Sequence, residues 1–96
     1  MEKRVFTAEI ECDGVVTDPL DLEVTIEEVN GARTGRGLLD VPACLVGVAC
    51  NAEDAALVRT DEGEMFRIHF TRIHFPQCVA EFETVGAIPA AGRKVA

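Results

Sequence analysis

Polar and apolar side chains alternate along two stretches of the chain. In Phe6-Thr7-Ala8-Glu9-Ile10-Glu11-Cys12 the even positions are apolar and the odd ones polar, and Leu20-Asp21-Leu22-Glu23-Val24-Thr25-Ile26-Glu27 repeats the pattern more strictly. A period of two is that of a β-strand with one dry face and one wet face. Asp13-Gly14 follows the first stretch and supplies the positive-φ residues of a tight hairpin. Asp18-Pro19 interrupts the returning chain. Proline has no N–H to give to a ladder, so a kink or bulge is expected before the second strand.

Downstream the pattern loosens. Asn30-Gly31 is a second hairpin signal, but Gly35 and Gly37 follow closely, so residues 31–37 read as a flexible loop carrying Arg33 and Arg36. From Leu38 to Cys50 the chain is almost wholly apolar, broken by Asp40, Pro42 and Gly47. That run reads as an interior strand with Cys44, Val46, Val48 and Cys50 on one face. Asn51 is the one good helix cap, and Glu53 and Asp54 suit the positive end of a helix dipole. At most one short helical turn near 52–56 fits before Leu57-Val58-Arg59 reads as strand again. Asp61-Glu62-Gly63 has the form of a three-residue hairpin loop with glycine in the left-handed position.

A small tandem repeat follows: Arg67-Ile68-His69-Phe70, then Thr71, then Arg72-Ile73-His74-Phe75. Its period of five is odd, so an unbroken strand would throw the two copies onto opposite faces. The spacing predicts a one-residue bulge at Thr71-Arg72, which returns Ile68, Phe70 and Ile73 to one dry face. Bulges bend strands at barrel corners. After the Pro76 turn, Cys78, Ala80, Phe82 and Thr84 are expected inward, with Glu81 and Glu83 outward. The chain therefore reads as all-β: a single small antiparallel barrel or sandwich of six to seven strands over residues 1–86. Residues 87–96 have no periodicity and are expected to form a frayed C-terminal tail.

Composition narrows the function more than it names one. The 96 residues suffice for one core, and no apolar run approaches the ~18 residues of a membrane helix. No apolar leader core follows Met1-Glu2-Lys3-Arg4, so the expectation is a cytoplasmic protein without a membrane partner. Seventeen acidic against nine basic side chains give a net charge of −8, which repels phosphate backbones and favours a basic partner over nucleic acid. Serine, tyrosine and tryptophan are all absent, so Ser-His-Asp hydrolysis and a tyrosine general acid are excluded. No phosphate loop, HExxH pair or GxSxG elbow occurs. The chain also lacks the RxxxR and [DN]xSxxG pattern of cyclic-dinucleotide-binding barrels, since Arg33 and Arg36 have the wrong spacing and there is no serine.

The four cysteines and two histidines do not form a metal-ligand pattern. No CxxC pair exists, and Cys44 and Cys50 in an extended strand would lie roughly 20 Å apart at ~3.3 Å per residue. Neither metal nor cofactor is expected, and the cysteines read as reduced core residues. Cys78 is the one thiol placed near a histidine and a turn, but its alternation directs it inward, so an enzyme is not expected.

Two basic clusters remain. The bulged repeat would set Arg67, His69, Arg72 and His74 in a stripe, with ion pairing to Glu81 and Glu83 as its simplest role. Arg33 and Arg36 beside glycines could present a fork to an anion. The expected function is that of a small acidic, non-enzymatic binding or adaptor domain. It would act through protein–protein interaction with a basic partner, or with itself as an edge-strand homodimer. The alternative is a small-molecule barrel that binds an anionic ligand through Arg33 and Arg36 or through the Arg67, His69, Arg72 and His74 stripe.

Overall fold

A computed structural model describes residues 2–45, 47, 55–86, 88 and 93–94. The strands are β1 (Glu2–Cys12), β2 (Val15–Val16), β3 (Leu20–Val29), β4 (Ala32–Asp40), β5 (Ala56–Thr60), β6 (Met65–His74), β7 (Val79–Val85) and β8 (Arg93–Lys94). Six of them close into an antiparallel barrel in the order β1-β3-β4-β7-β6-β5, with β5 returning to pair with β1. Of the two all-β forms that the alternation allows, barrel and sandwich, the fold is the barrel.

The alternation sets the two faces. Phe6, Ala8, Ile10 and Cys12 of β1 and Leu22, Val24 and Ile26 of β3 are buried inside the barrel. They meet Leu39, Ala56, Val58, Phe66, Ile68, Ala80 and Phe82, and the rings of Phe6 and Phe66 lie 5.2 Å apart in a tilted pair. Two type I′-compatible turns join the first strands: Asp13 and Gly14 have φ 50° and 84°, Asn30 and Gly31 have φ 52° and 79°. Gly63 sits at φ 88° in the expected β5–β6 loop. A four-residue loop with a cis Phe75–Pro76 bond joins β6 to β7.

Both expected irregularities are present. From Glu11↔Val16 to Ala8↔Leu20 the chain takes three steps on β1 and four on the return, so β2 continues the β3 edge beyond a one-residue bulge at 17–19. On β6, Phe70 faces Phe82 and Arg72 faces Glu81, so Thr71 is the extra residue. Threonine hydroxyls mend the broken ladders. Thr17 Oγ1 accepts the Ile10 N–H (3.0 Å), Thr84 Oγ1 accepts the Gly35 N–H (2.7 Å), and Thr71 Oγ1 donates to the Glu81 carbonyl (3.2 Å).

The structure corrects three expectations. Residues 32–37 are not a flexible loop: they belong to β4, which pairs with β3 from Ala32 to Leu38 and with β7 from Arg36 to Asp40. Gly35 and Gly37 are there because their neighbours are too close for a side chain, not for mobility.

The interior strand expected over residues 38–50 ends at Asp40. Pro42 cannot extend the ladder, and its carbonyl instead accepts the Leu45 N–H (2.9 Å) in a short helical turn that includes Ala43, Cys44 and Leu45. The fully buried Leu45 closes that end of the barrel. Residues 51–54 of the expected helical turn lie outside the described residues, and Ala56 already belongs to β5.

In the expected frayed tail, Ile88 is only 5% exposed and plugs the opposite end, and β8 pairs with β1 at Arg4 and Val5. An isoleucine that can reach the core stabilises the docked chain through its burial.

Candidate functional site

Barrel closure decides where a site can be. Because β5 returns to β1, the six barrel strands form a closed ring, whose outer face and ends are the surfaces considered for a site.

The sequence-selected arginines in β4 part company. Arg33 and Arg36 are three residues apart, an odd spacing, so on one strand they take opposite faces. Arg36 points outward beside Glu27, at 3.9 Å, and faces Glu83 in register. An open concavity of about 360 Å³ lies here, lined by Thr25, Glu27, Thr34, Arg36 and Glu83. Arg33 points to the inner side at the barrel end sealed by Ile88, and Ile88 donates its N–H to the Arg33 carbonyl (3.3 Å). The fork expected from both arginines together is therefore not formed.

The β6 stripe is assembled as the bulge requires. Arg67, His69 and Arg72 are exposed on the outer face and His74 is half-buried there, opposite Val79. Its expected pairing with β7 is partial. His74 Nε2 lies 2.7 Å from Glu81 Oε2, whereas Arg67, His69 and Arg72 make no ion pair among the described residues. Glu81 is opposite Arg72 in register yet turns its carboxylate to His74.

The site that periodicity alone did not single out lies across the outer face of β1, β3, β4 and β7. Leu38 is a β4 residue of outward phase and is 55% exposed, between Glu23 on β3 and Glu81 on β7. Around it an open concavity of about 440 Å³ is lined by Val5, Asp21, Glu23, Leu38, Asp40 and Val79. Lys3 lies 3.6 Å from Glu23, and Asp21 accepts the Thr7 hydroxyl hydrogen bond (2.7 Å). Three carboxylates thus surround an apolar floor with one nearby lysine. The available signal was Leu38 itself, an apolar residue out of phase with Leu39 in a strand whose inward positions are odd.

Among the described residues no group of three His, Cys, Asp or Glu side chains could hold a metal ion. Cys12 is buried, Cys78 half-buried and Cys44 exposed; Cys50 lies outside the described residues. Burial, with a smaller contribution from the Asp13 charge, pushes the Cys12 thiol above its ordinary range. Among the described residues no hydrogen bond joins the Cys78 thiol to a base, and its carbonyl accepts the Val41 N–H (2.8 Å).

Comparison with known proteins adds no relative: no family model, no curated protein and no solved structure matches the chain.

Proposed function

We propose that this domain is a non-enzymatic binding module that recognises a basic segment of a partner protein on the Leu38 face. The observation that supports it is the exposed Leu38 set among Asp21, Glu23 and Asp40. Lysine and arginine have apolar stems and charged heads, so one such side chain can cover Leu38 and Val79 while its head reaches a carboxylate. The surplus of eight negative charges on the whole chain steers a basic partner towards the domain over longer range.

The experiment is an affinity capture followed by direct titration with the retained partner. It compares the native chain, a Leu38→Ser variant, an Asp21→Lys/Glu23→Lys/Asp40→Lys variant and a Glu62→Lys control in the β5–β6 loop. Binding that falls in the first two variants, survives the control and weakens with salt supports the reading. Partner binding that is indifferent to Leu38 and to all three carboxylates overturns it.

A further inference from the structure

At the barrel end sealed by Ile88, three charged side chains of the inner face meet. Glu2 and Arg4 are two apart on β1, so they share a face, and the Arg4 Nε–H donates to Glu2 Oε1. Arg33 reaches the same oxygen from β4, with Nη2 3.6 Å from Glu2 Oε1. That distance permits charge attraction but no hydrogen bond. Arg33 Nε and Nη2 are thus buried without an acceptor, the only such side-chain atoms among the described residues, although the side chain as a whole is 27% exposed. Glu28 faces Arg33 in register but is exposed and makes no ion pair with it.

Buried donors without acceptors are rare because each costs its full desolvation. The two atoms concerned are the side-on edge of a guanidinium, the pair of N–H donors whose spacing matches two oxygens of a carboxylate or phosphate. Glu2 is half-exposed at the beginning of β1, and one and the same oxygen, Oε1, faces both arginines.

We infer that Arg33 forms a binding site for a small oxyanion, a carboxylate or phosphate group, and that the neighbouring Glu2 screens this site when the oxyanion is absent. The incoming group takes the Nε and Nη2 donors of Arg33 bidentately and displaces the Glu2 carboxylate into solvent. This site is separate from the Leu38 face and does not depend on it.

The test is a titration of the full chain, followed through the Arg33 side-chain Nε–H resonance in ¹H–¹⁵N spectra. Inorganic phosphate and acetate are the probes, with chloride at matched ionic strength as control. Expected is a saturable shift with phosphate, acetate or both, the stronger of the two identifying the chemistry of the natural group. Glu2→Gln removes the competitor and should tighten that binding roughly fivefold, the effect of losing one partly exposed ion pair. Arg33→Lys keeps the charge but loses the fork and should weaken binding about tenfold. No response beyond chloride overturns the inference. So does a Glu2→Gln variant that folds but binds no tighter, because Glu2 is then simply the structural partner of both arginines. If Arg33→Lys fails to fold, the Glu2→Gln arm decides alone.

Discussion

The ring of Phe82 on β7 lies over Gly37 on β4, its partner in register, where a Cβ at position 37 would stand 2.8 Å from Phe82 Cζ. The same Cβ would also collide with the Glu23 carbonyl oxygen on β3. The glycine is therefore the space into which the largest fully buried side chain fits. Gly37→Ala should lower stability by about 2–3 kcal/mol, since backbone and ring must both move. Thermal or urea unfolding monitored by circular dichroism measures this, and an unchanged midpoint would refute the contact.

Thr17 is fully buried and exchanges two hydrogen bonds with Ile10: its hydroxyl accepts the Ile10 N–H and its own N–H donates to the Ile10 carbonyl. Thr17→Val keeps the shape and leaves the Ile10 N–H without an acceptor, a cost of about 1–3 kcal/mol. Thr84→Val removes the equivalent acceptor from Gly35 at a half-buried position, so its cost should be smaller. Urea midpoints of the two variants should fall in that order.

Cys12 links stability to alkaline pH. Its folded thiol is held above the ordinary value of 9.0, chiefly by burial. As pH rises past that value the unfolded chain loses the proton first, so the folded state binds more protons and stability falls with pH. The contribution is fully present below about pH 9 and disappears as pH climbs through the raised folded value. Cys12→Ala should flatten the stability profile above that pH. In thiol labelling, the exposed Cys44 should react well before Cys12.

Arg67 and Arg72 on β6 carry no ion pair among the described residues, although Glu81 and Glu83 lie on the adjoining strand. Arg67→Ala and Arg72→Ala should each change stability by no more than about 0.5 kcal/mol. A loss of 1 kcal/mol or more from either would mean that the arginine is held in a structural network.

Much of the barrel was legible because β alternation is a local property. Phe6–Cys12 and Leu20–Glu27 state which side faces in, Asp13-Gly14 and Asn30-Gly31 supply turn residues for positive φ, and the odd period of the repeat requires the bulge at Thr71. The β6 stripe was legible for the same reason, since its four side chains follow from the register of one strand.

What the chain did not disclose depends on neighbours far away in sequence. Gly35 and Gly37 resemble loop residues in isolation, and only Val24, Phe82 and Thr84 closing over them make them strand residues. Whether the apolar run after Leu38 becomes a strand or a plug depends on whether another strand offers it a ladder. The structure ends β4 at Asp40 and buries Leu45 as an end cap. Arg33 and Arg36 look like one cluster along the chain, but strand geometry turns one into the barrel and the other out. The sequence by itself determined faces, turns and bulges, because these follow from φ preference and a period of two. Closure of β5 on β1, the grouping of Arg33 with Glu2 and Arg4, and that of Leu38 with Val5 and Asp21 were decided only by tertiary structure. Such contacts join residues tens of positions apart, and no local pattern records them.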